Sequence, residues 1–242
     1  MNKQSGISLI EIMIALLIGL FLLDGVLQLF SSAQQTYRMQ SNLARLQENG
    51  RFALDFLERD IRMAGYWGCM SSTSDISGIE GASGIPDTIT LHGAFELTPT
   101  GVCASPVDSP NSCGSVNCYT DSSSTISYQI NTSSTSSLPD PEITLYRSSN
   151  PLIEGIQNMQ ILYGIDSDSI PDGAANYYVS ANNVSNMQRV VSVRISLLVV
   201  TLDDNLTQQP MTYIYNGVTT TPTDHKIRRV FNTTIALRNH LP

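Results

Sequence analysis

The chain has 242 residues, enough for one sizeable domain and an appendage. Hydrophobic residues make up 41% and charged residues 14%, which sets aside a disordered chain and fits a globular, secreted or surface protein. Thirteen Lys and Arg stand against 21 Asp and Glu, so a broad phosphate-binding surface is not expected and nucleic acid is an unlikely partner, although a local basic patch is compatible with the counts.

The N-terminus carries the most information. Residues 7–23 are apolar except for Ser8 and Glu11. As a helix they span roughly 25 Å, close to the hydrocarbon core of a bilayer. Lys3 precedes them, which predicts a cytoplasmic N-terminus and a translocated remainder. Glu11 is the anomaly, because a carboxylate within an apolar span costs at least about 2.5 kcal/mol on insertion scales. A cut between Gly6 and Ile7 would resolve it: the new α-amino group at Ile7 would lie one turn from Glu11, in the same subunit or in a neighbour packed beside it. Asp24 either marks the periplasmic boundary or pairs during assembly.

Gly6 followed by Ile7-Ser8-Leu9-Ile10-Glu11 resembles the processing site of type IV prepilins. The resemblance implies cleavage after Gly6 by a prepilin peptidase, N-methylation of Ile7 and an assembly role for Glu11. Two features depart from the family pattern. The first mature residue is Ile7 where Phe is usual, and no Pro occurs before Pro86, so Gly19 and Gly25 would have to supply any flexibility. Two other readings remain open. One is an ordinary secretory signal with Ser31-Ser32-Ala33 at the cut and Gln34 as the new terminus; the other is an uncleaved anchor.

The helical pattern continues past Asp24. Leu43, Leu46, Phe52, Phe56, Leu57, Ile61 and Ala64 recur at three- and four-residue spacings, with Gly50 a weak link, and predict the stripe that a domain covers. Glu48, Arg51, Asp55, Glu58, Arg59 and Arg62 occupy other faces at salt-bridge spacing. A near-continuous helix over 7–64, roughly 85 Å long, is expected, ended by Gly65-Tyr66-Trp67-Gly68-Cys69. The runs 46–53 and 59–66, with Arg228-Arg229-Val230-Phe231-Asn232-Thr233-Thr234-Ile235-Ala236-Leu237-Arg238-Asn239, resemble PilW-type minor pilins. That resemblance implies a protein of the bacterial inner membrane with a periplasmic domain, joining other minor and major pilins at the pilus assembly platform. It would prime assembly near the tip and end in an extracellular pilus. A type II secretion pseudopilin, and a competence pilin or adhesin that binds DNA or a surface, are the rival readings.

Residues 70–141 are rich in Ser, Thr, Gly, Pro and Asp, with strand candidates at 88–91 and 125–130 and a loop over 132–141. The four cysteines, Cys69, Cys103, Cys113 and Cys118, all fall at or before Cys118. In an exported domain they predict disulfides in one of three connectivities, with free buried thiols or a metal site as the alternatives. From residue 142 the strand pattern firms, at 142–147, 156–163, 190–202, 211–215 and 226–237. Within it Val193, Ile195, Leu197 and Val199 share one face, and Arg194, Ser196 and Leu198 the other. The fold class is therefore α+β, a long helix packed on an antiparallel sheet, as in pilins. The expected organisation is a leader over 1–6, a membrane or filament-core helix over 7–30, its amphipathic continuation over 31–66, and a domain over 67–242 with a disulfide-braced part to 141 and a sheet beyond.

Three chemical readings remain. Asp166, Asp168 and Asp172 are spaced to bind calcium, but read as an EF-hand loop the fifth and sixth positions are Ile170 and Pro171, so an ordinary acidic turn is the stronger expectation and no cofactor is assigned. No nucleophile elbow, HExxH, phosphate loop or dinucleotide fingerprint occurs, and no catalytic residue is expected. Lys226, Arg228, Arg229 and Arg238 form the main basic cluster, with Lys226 and Arg228 expected on one strand face.

Overall fold

A computed structural model describes residues 9–66, 78–93, 95, 125–130 and 143–240. Gly6, Ile7 and all four cysteines lie outside the described residues, so the leader and disulfide expectations are not addressed by it. The chain falls into two units, Met1–Ala44 and Arg45–Pro242.

One uninterrupted helix, α1 (Leu9–Met63), runs for 55 residues, close to the expected 7–64. It holds no proline, so every interior N–H remains available for the helical ladder. From Leu9 to Phe30 its large apolar side chains are uncovered, from 50% exposure at Ile12 to 78% at Phe21.

In the second unit α1 meets two antiparallel sheets. The first has five strands in chain order: β1 (Ile79–Ala82), β2 (Thr88–His92), β3 (Thr125–Ile130), β4 (Thr144–Arg147) and β5 (Asn150–Glu154). The others are β6 (Ile156–Ile165), β7 (Tyr177–Val179), β8 (Val190–Val200), the hairpin β9 (Tyr213–Tyr215) and β10 (Val218–Thr220), and β11 (Arg228–Ala236). The second sheet has the order β11-β8-β6-β7, so β8 and β6, the longest strands, are central. Their β-branched and aliphatic residues are buried on the core face: Val193, Ile195, Leu197 and Val199 are all at 0% exposure. On the other face Arg194 is exposed whereas Leu198 is covered, at 2% exposure. The β9–β10 hairpin reaches this second face, where the Tyr215 hydroxyl donates to the Ser196 carbonyl oxygen at 2.9 Å.

The helix stripe differs from the sequence expectation. Leu46, Gly50, Ala53, Leu57, Ile61 and Ala64 are buried, whereas Phe52 and Phe56 are 48% and 40% exposed. The reason is size. Small residues at 50, 53 and 64 let the sheets approach the helix backbone, so the less hydrophobic stripe is the one that packs closely.

Polar groups join the layers. Asp60 is buried within the helix stripe and accepts from the Tyr128 hydroxyl at 2.6 Å and from Arg147 Nε at 2.7 Å, which ties α1 to β3 and β4. Asp87 accepts from the Ile161 N–H at 2.8 Å and donates its own N–H to the Met159 carbonyl at 2.9 Å, which links the first sheet to β6. The helix ends where Gly65 takes φ +75°, the left-handed conformation usual after a C-cap. The side-chain amide of Asn239 then donates to the carbonyls of Ala64, at 3.0 Å, and Arg62, at 3.3 Å, two of the acceptors a helix end leaves open.

Candidate assembly site

Glu11 lies in the first turn of α1, where unsatisfied N–H groups give the helix a positive end. Its side chain is exposed and has no partner among the described residues. Around it Ile10, Ile12, Met13 and Ile14 are at least half exposed. From Leu9 to Phe30 only Glu11 and Asp24 carry charge. Among the described residues, α1 is the one helix long and apolar enough to cross a membrane. An uncovered apolar cylinder of this length needs lipid or other helices around it. A carboxylate on its surface then needs a cation. The Ile7 amine, the partner expected from sequence, falls outside the described residues.

The acidic loop is brought together as expected, with the carboxylates of Asp166, Asp168 and Asp172 within 4.8 Å of one another. Asp166, at 1% exposure, is already engaged by protein donors. It accepts from the backbone N–H groups of Gly173, Asp172 and Asp168 at 2.9, 3.0 and 3.1 Å. These bonds, the one from Gly173 foremost, hold its carboxyl below the usual range. Arg189 Nη1 donates to the carbonyls of Asp168 and Asp166 at 2.8 and 3.1 Å, placing a guanidinium on oxygens that a bound cation would want. The geometry is that of a turn stapled by its own aspartate.

The strand face expected to hold both Lys226 and Arg228 does not form. Arg228 opens β11, whereas Lys226 precedes the strand. The Arg228 guanidinium grips Asp224 through both carboxylate oxygens, at 2.7 and 2.6 Å, and donates to Gln157 Oε1 at 2.8 Å. Sequence reasoning missed the buried acids Asp60 and Asp87. For Asp60 a signal existed, since its spacing from Leu57, Ile61 and Ala64 puts it on the buried stripe.

The family model for the prokaryotic N-terminal methylation motif matches residues 1–23. The model described as Type IV Pilus-assembly protein W matches residues 125–239, from β3 to the Asn239 turn. A solved structure, the type IV-like pilin TTHA1219 from Thermus thermophilus, aligns at 14% identity and a TM-score of 0.43, covering 81% of this chain and 98% of that one. No curated protein matches. With the methylation motif at its start and the pilus-assembly match through its C-terminal sheet, the chain is type IV pilin-like and similar to the PilW minor pilins.

Proposed function

We propose that this protein is a minor pilin that primes assembly of a type IV pilus and sits near its tip. In this reading prepilin peptidase removes residues 1–6 and Ile7 is methylated. The apolar half of α1 anchors the protein in the inner membrane, with the unit Arg45–Pro242 in the periplasm. It then enters the filament beside other minor and major pilins at the assembly platform.

The observation that carries the proposal is Glu11, exposed on an apolar helix five residues after Gly6 and inside the matched methylation motif. In lipid this charge is a liability; beside the amine of a neighbouring Ile7 it becomes a registration contact. No cofactor enters the proposal, since calcium at Asp166, Asp168 and Asp172 would have to displace three backbone donors. Mass spectrometry of the mature N-terminus tests it, with N-methylated Ile7 as the expected terminus. A native protein that retains Met1 to Gly6, or begins at Gln34, would sink it.

A further inference from the structure

The four-stranded sheet ends at β11, and the register decides which of that strand's backbone groups are free. Thr201 donates its N–H to the Ile227 carbonyl at 3.0 Å, and Leu237 donates to the Val191 carbonyl at 2.9 Å. Both pairs extend the unbroken β11–β8 register, so the odd-numbered residues of β11 bond to β8 and the even-numbered ones point away from it. Val230, Asn232, Thr234 and Ala236 therefore turn their N–H and C=O groups outward. All four residues are exposed, and none of those groups has a partner among the described residues. The other edges of the two large sheets are blunted: β1 carries Glu80 and Gly81, β5 carries Pro151 and Glu154, and β7 has only three residues. From Val230 to Ala236, β11 has no charge, no proline and no bulge.

Beside this edge, between α1 and β11, lies a groove of about 540 Å³. The half-buried Leu54 and Phe231 give it an apolar lining, and Arg51, Asp55, Glu58 and Arg229 its charges. Arg51 stands 4.0 Å from Asp55, and Arg62 pairs with Glu58, so both acids are taken. Arg229 is exposed and has no partner among the described residues. We propose that β11 receives an extended strand of a different pilin, which sets alternate side chains into this groove, apolar over Leu54 and Phe231 and acidic at Arg229. The proposal rests on the pilin reading, which supplies the neighbours. A row of alternating donors and acceptors is matched in full by another extended chain. The unpaired guanidinium selects a partner that carries Asp or Glu, and so rejects a second copy adding its own β11. No acidic residue occurs from 225 to 242, where Lys226, Arg228, Arg229 and Arg238 stand, so that pairing would set cation against cation. The remaining edges of a second copy are too short to span the seven free residues.

The test uses the full-length protein in cells that express the pilus machinery, with a photo-crosslinking residue at Asn232. The expected product is a crosslink, mapped by mass spectrometry, to an extended segment of another pilin that holds an acidic residue. Thr234→Pro removes an outward N–H and leaves the β8 ladder intact. It should lower the crosslink about tenfold, the size of one lost main-chain hydrogen bond, with the thermal midpoint unchanged. Arg229→Glu should lower it about as much, and replacing the mapped acid by Arg should restore it. No crosslink, a crosslink to a second copy or to a helical segment, undiminished crosslinking in either variant, or no recovery on charge exchange overturns the proposal. If Thr234→Pro fails to fold, Arg229→Glu decides. The mature terminus of the same sample separates the two proposals. A methylated Ile7 without the crosslink removes the strand contact and spares the pilin reading. A mapped strand contact in an unprocessed chain does the reverse.

Discussion

Gly50 of α1 is the seat of the Phe231 ring on β11: a Cβ placed on Gly50 would lie 2.6 Å from Cε2 and 2.8 Å from two further ring carbons. The first helix run that carries the PilW resemblance, 46–53, and the C-terminal run therefore meet in space. The second helix run, 59–66, meets the C-terminal run where Asn239 caps the carbonyls of Arg62 and Ala64. Propensity alone predicts that Gly50→Ala stabilises the helix by about 1 kcal/mol. The packing predicts the opposite sign, a loss of about 1–3 kcal/mol, because the ring must shift. Urea unfolding of the full-length protein in detergent distinguishes the two. Phe231→Leu should cost stability by itself yet lessen the cost of Gly50→Ala, a non-additive pair.

Tyr128 should make the protein sensitive to alkali. Burial first, and then its hydrogen bond to Asp60, push its phenol well above the ordinary range. A group whose pKa is raised by folding stabilises the fold fully below its unfolded value, about pH 10 for tyrosine, and that contribution falls away as pH rises through the folded value. Thermal midpoints should therefore drop above about pH 10. Tyr128→Phe should lose about 1–2 kcal/mol at neutral pH, where the hydrogen bond is missing, and show a shallower alkaline decline. An alkaline decline as steep in the variant as in the wild type would assign the effect elsewhere.

Acid should act through a different pair. Arg228, hydrogen-bonded to both oxygens of Asp224, holds that carboxyl below its ordinary value. Here the sign reverses. The contribution is complete above the unfolded carboxylate range, about pH 4, and is lost as pH falls through the lower folded value. Asp224→Asn should destabilise the protein at pH 7 and reduce its loss of stability between about pH 4 and pH 2, as followed by circular dichroism.

The β4–β5 turn offers a gain. Ser148 and Ser149 have φ of 47° and 71°, the left-handed pair of a two-residue hairpin turn, in which Asn-Gly is preferred. Each non-glycine residue held there costs on the order of 1 kcal/mol. Ser149→Gly should raise the stability by about 1 kcal/mol, while Ser149→Val should lower it by more. Thermal unfolding of the two variants checks both directions.

The longest elements were the plainest to read beforehand. The helix, β6, β8 and β11 carry runs of nine or more residues whose periodicity outlasts local noise. Length is not the whole reason, since β2, β4 and β9 are as short and were expected at 88–91, 142–147 and 211–215. β1 and β5 were missed where Gly81 and Pro151 break the strand pattern, and β7 and β10 are three residues each with no alternation to read. The shift of the helix stripe away from Phe52 and Phe56 has a different cause. Hydrophobicity favours Phe52 and Phe56 over Gly50 and Ala53, but close packing rewards a surface that the Phe231 ring can approach. Of the candidate site, Glu11 was legible because a charge inside an apolar run has few innocent explanations. The acidic loop was legible as a cluster, but that its carboxylate would face its own backbone N–H groups depends on a turn geometry that spacing does not encode.

The assembly prediction separates Glu11 from Gly6. In the proposed function peptidase recognition and helix registration are distinct events, so their residues should fail differently. Gly6→Val should block removal of the leader, seen as a persistent heavier species on blots of membrane fractions, because the cut needs a small residue before it. Glu11→Ala should leave the mature mass and the anchored protein intact. It removes the carboxylate that the apolar helix carries at a cost of about 2.5 kcal/mol or more, so membrane insertion should if anything improve. Piliation should nonetheless fall, because the amine of the neighbouring Ile7 would then have no counter-charge within the filament. Glu11→Gln keeps the shape and a hydrogen-bonding oxygen while deleting the charge. It should behave like Glu11→Ala if charge pairing sets the register, and like the wild type if the side chain serves only as an acceptor. Wild-type piliation in both variants would remove the electrostatic account of assembly.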